Sequence, residues 1–455
     1  SPRKRARALR RPTRRASPGP ARLLLPCYLW RLDPRAAPEP MHTLASTPHE
    51  PPSEARRALT LTQAEAAARA VARRRWAALD LFRFLAVILM VQGHAFYVTT
   101  SDAVRSAAWY RWHNYVHGFT APMFLFAAGL AFAITTFRRW EEHRVPGRPV
   151  AKRLERYLLL LAIGYALQIP GLSLGRLFAP ESPGELARIL KIDALHHIGL
   201  VLLVMELSVL VLQRRARLAV LAGAGGLAAV LAAPAVWRWP ADERLPTFLA
   251  AWVNDTTGSI FPIVPWCGFI CAGVVTGYLV SRCRDEGWQE RLPGRLAIAS
   301  GVLLATAFVL DRAFPGEQLF GPHNFWKTSP WFFLWRLGVV LLVLGAVGLL
   351  EGAVRRQAKA PTIRLLQVMG QETLVVYVAH LLVLYGSPVF VGVWAIWRHA
   401  LGLPASTAVF AALFAAMAAL AWGWHRLKVV RPRAFQSLRL GLLAVTVLIL
   451  LLPRW

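Results

Sequence analysis

Residues 77–99, AALDLFRFLAVILMVQGHAFYVT, decide the fold. The stretch is long enough to cross a lipid hydrocarbon core, for which about 20 apolar residues suffice. It nevertheless carries Arg83 and, after ten intervening residues, His94. A charge at membrane depth costs several kcal/mol, so such residues line a polar cavity or pathway instead of facing lipid. The segment therefore reads as one helix of a bundle that something polar enters.

Comparable apolar stretches recur outward from it, near 77–99, 116–136, 157–174, 193–212, 218–237, 260–281, 296–314, 331–351, 366–386, 404–424 and 438–452. The 455 residues are 56% hydrophobic and 17% charged, with mean hydropathy +0.42. The fold class is all-α, a polytopic integral membrane helix bundle with ten or eleven transmembrane helices. Clusters of Gly and Ala, such as Ala219 to Ala233, suit close packing of helices in lipid. Cys267 and Cys271, four apart on one span, read as small packing residues and not as metal ligands. No metal site is assigned.

The formal charge of +29 raises the question of a nucleic-acid partner, and its distribution answers against one. A share of +12 falls in residues 1–76, and the rest is spread through loops. Basic groups precede the first span at Arg73 to Arg75 and recur at 138–156, 214–217, 282–295, 355–364 and 425–439. These are alternate loops, and those between them carry little excess charge. The positive-inside rule then puts the amino terminus in the cytoplasm. Residues 1–58 read as a disordered basic, Pro-rich tail, 59–75 as a juxtamembrane helix and 76–455 as the transmembrane domain. Met41 follows the most basic part of a chain that opens on Ser1, so residues 1–40 read either as part of the tail or as sequence upstream of the true start.

The alternation also sorts polar residues by depth. His94 stands about 16 Å beyond Arg83 along its helix at 1.5 Å per residue. His113 and His117 at the start of the second span, and His380 on the ninth, fall in the same outer half, with Asp193, His196 and His197 opening the fourth. Asp193 reads first as a helix cap and second as a partner for a neighbouring imidazole. His380 and Tyr377 read either as closing a site or as satisfied core residues. At the inner face lie Asp80, Arg83, Lys152, Arg153 and Arg156. Arg153 and Arg156 share a helix face and suit bidentate phosphate binding, although basic residues there also serve headgroups. Glu206 and Arg336 read as an internal pair, as lining of a tunnel, or each as a member of a structural ion pair.

Four segments in order carry a family resemblance: LDLFRFLAVILMVQGHAF (79–96), FTAPMFLFAAGLAFA (119–133), KRLERY (152–157) and MGQETLVVYVAHLLVLYG (369–386). They resemble the membrane acyltransferase type 3 proteins, with their Arg and His ten residues apart and their paired arginines. With HGFTAPMF and FPIVPW, the chain is still more similar to bacterial relatives of heparan-alpha-glucosaminide N-acetyltransferase. The resemblance, over about 76–451, implies that an acyl group, acetyl first, passes from cytosolic acyl-CoA to a hydroxyl or amine of an envelope sugar or glycan outside. It implies Lys152, Arg153 and Arg156 as holders of the CoA phosphates, with His94 as general base. Arg83 would anchor the donor or stabilise developing charge. Asp193, His197, Arg336, Tyr377 and His380 fall on the acceptor side. In the glucosaminide enzyme the residue matching His94 is Asn and a His near the second span acts instead, so His117 stands beside His94.

The implied co-substrate is acetyl-CoA or another acyl-CoA, with no permanently bound cofactor. The expected partners are the lipid bilayer, acyl-CoA and a sugar or glycan acceptor, with no nucleic acid and a dimer as one possible state. The Arg-rich, Ala-rich composition points to a bacterial inner membrane. A proton-coupled transporter is the alternative, since it too uses buried His, Glu and Arg, but it calls for repeats that the sequence does not display.

Overall fold

Long apolar runs become helices here because a backbone in lipid has to satisfy its own hydrogen bonds. The computed structural model describes residues 76–180, 182–282, 288–387 and 390–451; the expected tail and juxtamembrane helix lie outside the described residues. The principal helices are α1 (Ala77–Thr99), α2 (Ala108–His117), α3 (Thr120–Arg138), α4 (Arg148–Gln168), α5 (Ala194–Leu212), α6 (Arg215–Arg238) and α7 (Ile263–Arg282). They continue as α8 (Trp288–Ala313), α9 (Pro330–Leu349), α10 (Pro361–Gln371), α11 (Thr373–Tyr385), α12 (Leu403–Val430) and α13 (Pro432–Leu451). Among the described residues the only bridge between extended segments joins Thr100 to Leu401.

Among the described residues nine helices are long and apolar enough to cross a membrane, and the bent pair α10–α11 makes a tenth. Loop contacts show which ends lie together. At the end that holds Trp76, here called proximal, Glu351 binds the start of α1, Gln213 donates to the Arg144 carbonyl, and Glu372 binds Lys428. At the distal end His399 N donates to Val98 O, Ile260 N donates to Ile192 O, and Lys327 pairs with Asp255. The helix α4 runs between these two ends as well. It is less apolar than the others because Lys152, Arg153, Glu155 and Arg156 occupy its first half.

Two expected spans take a different form. The third, expected over 157–174, ends at Gln168, where Pro170 and Gly171 (φ 59°) turn the chain into a short 3-10 helix. The ninth, expected as one helix over 366–386, bends by 79° at Glu372. The cause is lateral: the buried Glu372 carboxylate accepts from His425 at 3.0 Å and Lys428 at 2.8 Å, so α12 holds the break.

Burial ranks the helices. In α1, in α7 and in the span Ala108–Arg138 that α2 and α3 form together, 61% of the most apolar stretch is buried, against 22% in α12 and none in α13. The centre is close-packed through glycine. A Cβ on Gly129 of α3 would stand 2.0 Å from Ile270 O, and one on Gly273 of α7 would stand 2.2 Å from Phe126 O, so the two backbones touch. Cys267 and Cys271 are buried in the same layer, as packing residues are. The first turn of α1 has no cap of its own. The Glu351 carboxylate supplies one, accepting from Ala77 N at 3.2 Å and Ala78 N at 2.5 Å, while Arg355 holds its Oε1 at 2.6 Å.

Candidate active site

Four imidazoles from three parts of the chain meet in the distal half of the bundle. His94, four turns along α1, lies with its Nδ1 2.8 Å from His380 Nε2 on α11. The His117 ring, from the last turn of α2, approaches His94 at a centroid distance of 5.8 Å. His113, one turn earlier, lies parallel to His117 at 6.3 Å and bonds Gln92 Oε1 through Nε2 at 2.8 Å. The sequence therefore brings His94, His113, His117 and His380 together laterally as well as in depth.

Local features explain how they fit. Gly93 gives His117 its place, since a Cβ there would lie 2.0 Å from His117 Nδ1. The same Nδ1 donates to the Leu89 carbonyl at 3.1 Å, with Thr120 Oγ1 at 3.4 Å, so His117 is held against α1. His380 is fully buried and its Nδ1 donates to Val376 O at 2.8 Å. Neither Nε2 of His94 nor Nε2 of His117 has a hydrogen-bond partner among the described residues. Both differ from the sealed, unpartnered nitrogens of the bundle, which include His113 Nδ1, His196 Nε2 and His197 Nε2. Two imidazole nitrogens are thus left for an incoming group.

The remaining distal residues frame this cluster. Tyr377, one turn before His380 and edge-on to it at 5.7 Å, donates its hydroxyl to Asp193 Oδ2 at 3.3 Å. Asp193 also caps α5, accepting from Ala194 N at 2.7 Å, while His196 Nδ1 accepts from Asp193 N at 3.2 Å. The capping reading of Asp193 holds, whereas His196 meets its main-chain N–H and its carboxylate turns to Tyr377 instead of an imidazole. His197 donates through Nδ1 to Phe261 O at 3.0 Å, which ties α5 to the segment before α7. Arg336 donates to Trp326 O at 2.9 Å and lies over the Phe332 ring at 4.2 Å; a Cβ on Gly118, next to His117, would come within 3.6 Å of its Nη2.

Of the alternatives for Glu206 and Arg336, the pairing of one with the other does not form, because the two lie toward opposite ends, and Glu206 is a member of a structural ion pair instead. Glu206 is fully buried near the proximal end, where Oε1 accepts from His143 at 2.7 Å and Oε2 from Arg153 at 3.1 Å. Arg153 also donates to Thr136 at 2.5 Å and Thr135 at 2.8 Å. Its guanidinium is committed to α3 and α5, whereas Lys152 and Arg156 are exposed. Arg153 and Arg156 therefore do not act as one fork. Arg83 is half-buried on the proximal half of α1, and Asp80 accepts from Gln371 at 2.9 Å.

Sequence reasoning missed Gly93, Gln92, Leu89 O, Val376 O and Glu351. Only Gly93, immediately before His94 in an otherwise bulky helix, left a visible signal.

Residues 75–305 match the model of heparan-alpha-glucosaminide N-acetyltransferase, catalytic. The match covers just over half of the chain, including His94, His113, His117, Lys152, Arg153, Arg156, Asp193 and His197, and stops before Arg336, Tyr377 and His380. No curated protein matches the chain. With its polytopic helical bundle and its buried imidazole cluster, the chain belongs to the heparan-alpha-glucosaminide N-acetyltransferase catalytic family, a family of acetyltransferases.

Proposed function

We propose that this membrane protein transfers an acetyl group from cytosolic acetyl-CoA to an amine or hydroxyl of an envelope glycan on the far side, with a glucosaminide as the first acceptor to try. The convergence of His94, His117 and His380 around two unpartnered Nε2 atoms supports this reading most directly. The basic loops gather at the proximal end, which supports a cytoplasmic amino terminus in a bacterial inner membrane. Lys152 and Arg156, exposed at that end, hold the CoA phosphates, and Arg83 lies along the donor's path.

His94 Nε2 takes the proton from the acceptor heteroatom as that atom forms its bond to the acetyl carbonyl carbon. The tetrahedral centre collapses, the C–S bond breaks, and the departing thiolate takes the proton back from the imidazolium, so no proton is gained or lost at the histidine. Positioned general bases of this kind contribute on the order of 10²–10⁴ in rate. Arg336, beside the cluster, contacts the acceptor.

The test supplies radiolabelled acetyl-CoA to inside-out and right-side-out vesicles holding a synthetic α-glucosaminide on the opposite face. Label should reach the glucosaminide only when acetyl-CoA meets the cytoplasmic face, and His94→Ala should abolish transfer while His117→Ala weakens it. Transfer that survives both substitutions in folded protein refutes the site. Solute uptake driven by a pH gradient with no CoA released would replace the enzyme reading by a transporter.

A further inference from the structure

We infer that His380 is a positioning residue that fixes the tautomer of His94, leaving the lone pair of His94 on Nε2, where the acceptor proton has to go. The inference rests on the acyl-transfer reading above and extends it to a residue outside the segment that the family model matches. A neutral imidazole has one nitrogen that donates and one that accepts. The Val376 carbonyl oxygen can only accept, so the proton in the 2.8 Å contact sits on His380 Nδ1. His380 Nε2 is then an acceptor. The proton in its 2.8 Å contact with His94 therefore belongs to His94 Nδ1, and the lone pair of His94 to Nε2.

The ring geometry fits a directional bond. The two imidazoles are tilted by only 4°, with centroids 5.2 Å apart and the nitrogens at 2.8 Å. They lie side by side in nearly one plane, so the bond follows the in-plane lone pair of His380 and not a ring face. His380 is fully buried, and its Nδ1 is held by the Val376 carbonyl one turn back. Packing leaves the acceptor role of its Nε2 unchallenged by water. His117 takes its own anchor from Leu89 O, so the relay belongs to His94.

In the reaction, the bond from His94 Nδ1 to His380 becomes charge-assisted once Nε2 has taken the acceptor proton, and it weakens again when the thiolate recovers that proton. An interaction that strengthens only as charge develops acts on kcat more than on KM.

The test uses the full-length protein in lipid nanodiscs, radiolabelled acetyl-CoA and a synthetic α-glucosaminide. His380→Phe removes the acceptor at nearly constant volume, while His380→Gln places Oε1 where it can accept from His94. Loss of tautomer control at a catalytic histidine costs up to about 10⁴-fold in kcat. His380→Phe should lower kcat by at least about 30-fold with the glucosaminide KM within about threefold, and His380→Gln should recover kcat to within about tenfold. Independently of folding in the variants, ¹⁵N NMR of histidine-labelled wild type, with His94 assigned by difference from His94→Gln, should place the proton on Nδ1. The relay is overturned if the proton is found on Nε2, or if His380→Phe keeps wild-type kcat while His94→Ala is inactive. That second result leaves the base intact, whereas a fully active His94→Ala removes the base and the relay together.

Discussion

Gly93→Ala gives a sharp test of the site because its expected sign is opposite to the ordinary one. Within a helix, replacing Gly by Ala stabilises by about 0.8–1 kcal/mol when nothing is in the way. Here the new Cβ would lie 2.0 Å from Nδ1, 2.2 Å from Cε1 and 2.6 Å from Cγ of His117, where ordinary contact begins near 3.4 Å. The ring has to retreat from α1 by about 1.4 Å. That movement breaks the 3.1 Å bond from Nδ1 to Leu89 O, which is itself on α1. The lost hydrogen bond costs about 0.5–1.5 kcal/mol and the overpacking about 1–3 kcal/mol. Against the helix-propensity gain, the net destabilisation is about 0.5–3.5 kcal/mol, and an imidazole misplaced by about 1 Å costs on the order of 10² in kcat.

The assay is a double-mutant cycle in thermal unfolding, with Gly93→Ala, His117→Ala and the pair compared in one detergent and with kcat measured beside it. Removing the His117 ring opens the space that the methyl group needs. The pair should therefore be more stable than the sum of the single effects by about 1–3 kcal/mol. If Gly93→Ala is as stable and as active as wild type, or if the two substitutions simply add, then His117 does not rest on α1 at that point and the geometry of the cluster is wrong.

Four further substitutions test the proximal end. Glu206→Ala leaves the Arg153 guanidinium and the nearly buried His143 without their shared carboxylate, and should lower stability by about 3–5 kcal/mol in the same unfolding assay. Arg156→Ala should raise the acetyl-CoA KM several-fold with little effect on unfolding. Arg153→Ala should do the reverse, because its guanidinium is already spent on Glu206, Thr135 and Thr136. Glu351→Gln removes the charged cap from Ala77 N and Ala78 N and should cost about 1–2 kcal/mol, read as a lower unfolding temperature and faster amide exchange in the first turn of α1.

The helix count and the alternation of loops were legible because each span has to hide its own backbone from lipid, and the basic loops mark every second turn. The depth of His94, His117 and His380 was legible for the same reason, since rise per residue converts sequence position into height. Lateral neighbours were not. Glu206 and Arg336 read as a pair because both are charges in spans, yet two residues at different heights on separate helices cannot meet, and Glu206 found Arg153 and His143 instead. The bend at Glu372 was hidden too, because it depends on His425 and Lys428, more than fifty residues away. Main-chain acceptors such as Val376 O leave no trace in a sequence, since every residue has one.

The position of α1 ties these separate features into one frame. At its proximal end Glu351 caps it, and a Cβ on Gly370 of α10 would stand 1.9 Å from Asp80 O, so those two backbones touch. Beyond the bend, α11 meets α1 again where His380 reaches His94. A straight helix touching α1 at Gly370 would keep its initial crossing direction, whereas the 79° break lets α10 and α11 approach the same helix at two different angles. Glu372 is the residue at that break, and its carboxylate is tied to α12. The geometry of the histidine pair is therefore set by contacts at the opposite end of α11. Substitutions at Gly370 or Glu372, which touch none of the four clustered imidazoles, act on the site by shifting the helix that carries His380.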